Sequence, residues 1–288
     1  MPDLNSAAKP DDSSAAAPAT GAGRRAAHSG ADPGQRLRLL SYNIQTGTTT
    51  GKYHQFVTQS WKQILPHAQR MVNLARIAQM ATDYDLVGLQ EVDAGSLRSG
   101  FINQTEYIAE KARFPFWYHQ TNRRMGMLAQ HSNGFLSKFR PTEIDDHKLP
   151  GAIPGRGALF VRFGGPKDSL VVVILHLALG RRSRMRQLAY VSEVARAYKH
   201  VIIMGDMNCR PDSPEIQALL RVGNLCEPAR NLYTWPSWRP ERNIDHILVS
   251  PSLQVERVGV LNHTFSDHLP ITMDVILPTH VSLAGASQ

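Results

Sequence analysis

Apolar blocks along this chain repeatedly run into a polar residue at their C-terminal end. Leu37, Leu39, Leu40 and Tyr42 predict a short strand that meets Asn43 and Gln45. Residues 44–60 are polar and read as a loop. Met71, Leu74, Ile77, Ala78 and Ala81 recur at helical spacing, which predicts a helix starting near Pro66, since proline suits a first helical turn. Leu86-Val87-Gly88-Leu89 predicts a buried strand leading into Gln90 and Glu91. Strands follow at 116–119, 134–137, 157–162 and 170–176. The last is continuously apolar over 170–175, so it requires burial on both faces, and it ends at His176. Leu188, Val191, Val194, Ala195 and Tyr198 then form one face of a helix over 183–198. Val201-Ile202-Ile203-Met204 predicts another buried strand, broken at Gly205 and followed by Asp206 and Asn208. A short helix near 214–220 and strands at 244–249, 255–260 and 271–275 complete the pattern.

Many strands with few intervening helices imply two packed sheets with helices on their outer faces. The expected fold is a four-layer α/β sandwich, its two sheets mainly antiparallel or mixed. A doubly wound parallel sheet fits less well, because the middle of the chain has too many strands for strict strand–helix alternation. Residues 1–35 are dominated by Ala, Ser, Gly and Pro without apolar periodicity, and read as a disordered tail that cannot bury enough surface to order itself. Residues 36–278 read as the folded domain, and 279–288 as a frayed C-terminal tail. No internal repeat is evident.

The formal charge of +8 favours anionic partners such as nucleic acid, phospholipid headgroups or small phosphates, without choosing among them. Cys209 and Cys226 form no C-x-x-C pair, which argues against a thiolate zinc site and for a reducing compartment. No apolar run approaches the roughly 18 residues that a membrane-spanning helix needs. Arg24-Arg25 is not followed by the apolar stretch of an export signal. These features predict a cytoplasmic monomer without a transmembrane segment, and leave room for peripheral membrane contact.

The polar strand ends carry the candidate chemistry. A carboxylate such as Glu91 at the end of an apolar strand is costly without a partner, and a divalent cation is a suitable one. The available ligands are oxygen-rich, and no H-E-x-x-H is present, so Mg²⁺ or Mn²⁺ is favoured over Zn²⁺. Ser266-Asp267-His268-Leu269-Pro270 sets an acid beside a histidine, and Asn243-Ile244-Asp245-His246-Ile247 sets another acid on a strand. A histidine held by a carboxylate is stabilised in its charged form and can serve a phosphate. Each feature alone has a structural reading. Asp206 and Asn208 can cap a turn, Asp245 a strand end, and Asn133 is read as a turn residue. His246 should face away from Asp245. The remaining histidines, among them His67, His119 and His131, are read as surface residues, and Arg181 to Arg186 as a solvated helix start. Trp235 and Trp238 suit base stacking, a headgroup layer or packing beneath a loop.

Taken together, these segments resemble the endonuclease/exonuclease/phosphatase superfamily, the metal-dependent phosphoesterases that include pancreatic-type DNase, neutral sphingomyelinases and inositol polyphosphate 5-phosphatases. The resemblance rests on Ser41-Tyr42-Asn43-Ile44, Leu89-Gln90-Glu91-Val92, Ser132-Asn133-Gly134-Phe135-Leu136-Ser137, Leu175-His176-Leu177, Gly205-Asp206-Met207-Asn208, Thr234-Trp235-Pro236-Ser237, Ile244-Asp245-His246-Ile247 and Ser266-Asp267-His268-Leu269-Pro270, in that order. It implies that Glu91 is the principal Mg²⁺ ligand, with Asn43 beside it and Asp267 a second or water-mediated ligand. It implies further that Asp206 orients or deprotonates the attacking water. Asn208 and His176 would hold the scissile phosphate, His268 would stabilise the transition state, and Asp245 would orient His268. His176-Leu177 resembles the DNase, sphingomyelinase, deadenylase and phosphatase branches more than the apurinic-site repair branch. The expected function is hydrolysis of a phosphate ester, nuclease-like or phosphodiesterase-like. A lipid-headgroup phosphodiesterase, a small-molecule phosphatase and a catalytically silent phosphate-binding module are the alternatives.

Overall fold

Side-chain alternation along the strands sorts the chain into layers. In this computed structural model the described residues are 34–45, 67–96, 99, 101–125, 129–151 and 155–284, with the side chains of 67–68 and 122–131 outside that description. The expected tail to residue 33, the helix start at Pro66 and most of the 44–60 loop lie outside the described residues. On β1 (Arg36–Asn43), Leu37 and Leu39 enter one apolar cluster while Leu40 and Tyr42 enter another. That period of two is what a strand buried on both faces requires.

β1 pairs in parallel with β2 (Leu86–Asp93), and α1 (His67–Ala81) lies between them in the chain. α2 (Gln104–Ala112) follows, capped by Asn103, whose side chain accepts from the Thr105 and Glu106 amides. The antiparallel strands β3 (Phe116–Met125) and β4 (Ala129–Ser137) extend the sheet beyond β2. The second sheet holds β5 (Glu143–Lys148), β6 (Gly157–Phe163), β7 (Leu170–His176), β8 (His200–Asp206) and β9 (Asp245–Val249). Here the parallel pair is β7 and β8, separated in the chain by α3 (Arg181–Ala195), and α4 (Pro214–Val222) follows β8. β10 (Gln254–Val260) and β11 (Ile271–Ile276) return to the first sheet, whose order is β10-β11-β1-β2-β4-β3. The second sheet runs β5-β6-β7-β8-β9.

Between the sheets lies a core built from Leu37, Leu39, Leu86 and Phe135 on one side and Val161, Val172, Ile174, Ile202 and Met204 on the other. The outer face of the first sheet packs Leu40, Val87 and Leu89 on Leu74 and Ile77 of α1 and Ile108 of α2. The outer face of the second packs Val171, Val173 and Ile203 on Leu188 and Val191 of α3 and Ile216 and Leu219 of α4. Helix, sheet, sheet and helix thus form four layers, the architecture expected from the strand count. The sheets pack closely at Gly88, where an added Cβ would come within 2.9 Å of the Ile174 Cδ1.

Three features depart from the sequence reading. α2 was not expected, because its apolar positions are few and its signal is the cap at Asn103. β5 was not expected either, since it is a polar strand at a sheet edge, where charges discourage pairing with a further strand. The segment after β11 does not fray at residue 279. Val281 and Leu283 are buried in the inter-sheet core, so the packed chain continues to at least Leu283. Two isolated apolar residues carry too little pattern to announce that docking.

β8 is not broken at Gly205, as expected from the sequence, but continues through it to Asp206, at a position that only glycine fits. The φ of Gly205 is +146°, and an added Cβ would sit 1.9 Å from the Leu175 carbonyl oxygen of the neighbouring strand. Gly205→Ala is therefore expected to lower the unfolding free energy by about 2–3 kcal/mol. Urea unfolding checks this, and a change within about 0.5 kcal/mol, the range of an ordinary surface substitution, would contradict it.

Candidate active site

The inward-facing rows that are apolar along most of each strand become polar at one end of the sandwich. Asn43 continues the row of Leu37 and Leu39, and His176 that of Val172 and Ile174. Asp206 continues the row of Ile202 and Met204, and Asp245 heads that of Ile247 and Val249. Parallel pairing sets His176 opposite Asp206, and antiparallel pairing sets Asp245 on Asp206's other side. β11 runs antiparallel to β1 with Ile271 opposite Ser41, so the segment just before β11, including Asp267 and His268, arrives at the same end.

Asp206 is the centre of this group and is only 2% exposed. Its Oδ2 accepts from Asn43 Nδ2 at 3.1 Å, and lies 3.4 Å from His176 Nε2 and 3.8 Å from His268 Nε2. Its Oδ1 accepts the Asn208 backbone N–H at 2.9 Å. His268 Nδ1 donates to Asp245 Oδ2 at 2.8 Å, and the Thr234 hydroxyl donates to that same oxygen. Burial raises the pKa of Asp206, opposed by the charge of His268. Burial works against protonation of His268, but Asp245 and then Asp206 outweigh it and hold the ring charged well above its usual range.

Glu91 reaches the cluster through a break in β2. The pairing of β2 with β4 shifts register between Leu89 and Val92, and Glu91 has a φ of +56°. Such a bulge re-aims a side chain that strict alternation would send to the outer face. The Glu91 Oε1 lies 3.4 Å from Asn43 Nδ2 and 3.9 Å from His176 Nε2. Asp267 accepts from the Trp235 indole Nε1 at 3.3 Å and from the Ser266 hydroxyl at 3.3 Å. Burial raises the Asp267 pKa, and the Glu91 carboxylate raises it further.

Asn208 is half-buried, has a φ of +52° and donates its Nδ2 to the Leu177 carbonyl at 3.0 Å. His246 faces away, between Glu227 at 2.8 Å and the Cys209 carbonyl at 2.8 Å. Asn133 is not at a turn. It is fully buried within β4, where its Nδ2 donates to the carbonyl of Gly157 at 3.0 Å and helps tie the two sheets together. Among the other histidines, His119 is half-buried and His200 fully buried, while the side chains of His67 and His131 lie outside the described residues. The arginine run is not wholly solvated, because Arg184 Nη2 meets the buried Glu215 at 2.7 Å. Sequence reasoning assigned no role to Thr234 and did not foresee the hydrogen bond from Trp235 to Asp267. Both sit in the Thr234-Trp235-Pro236-Ser237 motif, whose backbone bonds to the Asp267 carbonyl at 2.7 Å and to the Leu269 amide at 2.8 Å.

A sequence profile of the Endonuclease/Exonuclease/phosphatase family matches residues 40–268. The chain belongs to the endonuclease/exonuclease/phosphatase family. Members of this family are hydrolases acting on phosphoesters, and they typically depend on a divalent metal. No curated protein sequence matches the chain. Among solved structures, a family protein from Bacteroides thetaiotaomicron has 24% identity and a TM-score of 0.64, the match covering 85% of this chain and 99% of that one. A mannosyl-6-phosphatase from the same species has 23% identity and a TM-score of 0.60, covering 84% and 100%. The catalytic domain of human Nocturnin, solved with bound sulfate, has 16% identity and a TM-score of 0.61, covering 85% and 94%. At these identities the likeness establishes the fold shared with the family.

The donor set suits the hard divalent cation typical of the family. Glu91 and Asp267 are near enough for one to raise the other's pKa, a repulsion that a cation between them would relieve. Asp206, Asp245 and His268 also present ligand atoms within 4.8 Å of one another. There the His268 Nδ1 proton already occupies the Asp245 oxygen, where a metal would need a lone pair. In that trio the contacts are those of proton holding, His268 to Asp245 above all, whereas Glu91 and Asp267 are two carboxylates that repel one another.

The Asp245–His268 hydrogen bond is buried and charge-assisted. A double-mutant cycle with Asp245→Ala and His268→Ala, read by chemical unfolding, is expected to give a coupling of about 1.5–3 kcal/mol. Additive single effects would contradict it.

Proposed function

We propose that this chain is a Mg²⁺-dependent phosphoric ester hydrolase, acting as a nuclease-like phosphodiesterase by in-line attack of water. The observation that carries this reading is the convergence of Asn43, His176 and His268 on one oxygen of the buried Asp206, with Glu91 and Asp267 alongside. Glu91, Asp267 and the side chain of Asn43 would hold the cation, and Mn²⁺ suits the same oxygens. When bound, the cation neutralises charge on the phosphate and its leaving oxygen.

In this reading Asp206 takes the proton of the attacking water. A buried carboxylate with a raised pKa is a better base near neutral pH than an exposed one. Its Oδ1 is fixed by the Asn208 amide and its Oδ2 by Asn43, so the acceptor lone pairs are pre-aimed. His268, kept charged by Asp245, stabilises the equatorial oxygens as negative charge builds on them. His176 contacts the phosphate from the opposite strand. The second amide proton of Asn208 is available to a phosphate oxygen, the first being held by Leu177. Asp245 and Thr234 position the His268 ring and do not touch the phosphate.

Among the described residues, no helix is long and apolar enough to cross a membrane. A charge of +8 draws nucleic acid, lipid headgroups and phosphorylated metabolites alike, so substrates are separated by assay. The panel comprises plasmid DNA, RNA, sphingomyelin or phosphatidylinositol vesicles, and sugar phosphates, each with Mg²⁺ and with EDTA. Hydrolysis of a phosphodiester that stops with EDTA is expected, with Glu91→Gln and His268→Ala each lowering kcat by about 10²-fold or more. Full activity in both variants would overturn the site assignment. Binding of these substrates without turnover of any of them would overturn the enzyme reading in favour of a silent phosphate-binding module.

A further inference from the structure

Three side chains from separate segments meet at the end of the second sheet opposite the candidate active site. His200 opens β8, the strand that closes with Asp206, so the two ends are about 20 Å apart at a strand's rise per residue. Asp168 lies in the connection from β6 to β7, and His280 follows β11. Their ligand atoms all lie within 4.8 Å of one another.

The hydrogen bonds around His200 decide what its ring offers. Ser252 donates its hydroxyl proton to the Lys199 carbonyl, at 3.3 Å. Its oxygen can then accept from His200 Nδ1, which lies 2.8 Å away. The tautomer with its proton on Nδ1 satisfies both contacts and leaves Nε2 a lone pair. Burial is the first cause lowering the His200 pKa, which favours the neutral ring that a ligand must be. A backbone-anchored hydroxyl on the far nitrogen is the support that metal-binding histidines require.

The lone pair faces His280. The two Nε2 atoms are 3.4 Å apart, and His280 Nε2 is 3.7 Å from Asp168 Oδ1. With zinc–nitrogen bonds of about 2.0–2.1 Å, two ligands of a tetrahedral ion are about 3.3–3.4 Å apart. The two rings are already at that spacing, and the separation of His280 from Asp168 is a few tenths of an ångström longer. A hydrogen bond between neutral rings puts one proton where the ion would sit.

We propose that Asp168, His200 and His280 form a zinc-class metal site, with a fourth position open to water. His200 is fully buried, whereas the side chains of His280 and Asp168 are 46% and 48% exposed, so the ion enters from solvent onto a fixed base. The neighbouring Lys199 is exposed, and its charge, like burial, lowers the His200 pKa. Such an ion would tie the segment after β11, with its buried Val281 and Leu283, to the start of β8. The site is independent of the proposed hydrolytic reaction.

The test uses the untagged full chain carrying Glu91→Gln and His268→Ala, which disables the other candidate metal cluster. After chelator treatment it is titrated with Co²⁺ and then Zn²⁺. One Co²⁺ per chain with the visible absorption of a tetrahedral site, displaced by Zn²⁺, is expected, together with a Tm that rises with Zn²⁺. Adding His280→Ala or Asp168→Asn, both at exposed positions, is expected to weaken Zn²⁺ binding by at least about tenfold and to abolish the rise in Tm. No Co²⁺ or Zn²⁺ binding by the chain with the three residues intact, or unchanged affinity after His280→Ala, overturns the proposal.

Discussion

A carboxylate buried between two sheets must be surrounded by donors, and Asp206 imposes that constraint on this fold. An uncompensated charge there would cost several kcal/mol. The donors come from four places: Asn43 on β1, His176 at the end of β7, the Asn208 amide after β8, and His268 ahead of β11. No single segment could supply them. The parallel pairing of β7 with β8 and the antiparallel pairings of β9 with β8 and of β11 with β1 are what deliver them together.

The same constraint accounts for irregularities that a stability argument alone would not. Gly205 accepts a backbone angle that other residues resist immediately before Asp206. Glu91 sits at positive φ in a bulge that turns it out of its expected face. The Thr234–Ser237 segment spends its side chains and backbone on Asp245, Asp267 and Ser266. Positive-φ backbone and buried polar side chains meet at this end of the sandwich, while the apolar rows between Gly88 and the β7–β8 surface hold the sheets together. Local strain of this kind persists only where the surroundings over-determine it.

Much of this was legible in the sequence because burial on both faces leaves a strong signature. The runs at 170–175 and 201–204 could only be interior strands, and a polar residue directly after each had to face either solvent or a site. Ordered motifs from Asn43 to His268 then identified the family. What escaped were features whose signal is spatial. Thr234 matters because a loop folds back onto Asp245, and Trp235 because its indole reaches Asp267. β5 and α2 carry too few apolar positions to be seen, and Val281 and Leu283 look like a tail until the core receives them. Asn133 reads as a turn residue in isolation, yet it bridges the sheets from within a strand.

The account places Asp206 as the proton acceptor on which the proposed reaction turns. The most direct measurement is kcat of Asp206→Asn, an isosteric change that keeps a hydrogen-bonding side chain but removes the basic carboxylate. It is made with Mg²⁺ on whichever phosphate ester the parent chain hydrolyses, with circular dichroism confirming the fold. The account predicts a loss of about 10²–10⁴-fold in kcat. A variant that keeps its fold and its EDTA-sensitive activity to within about tenfold of the parent, below the range of general-base catalysis, would contradict it.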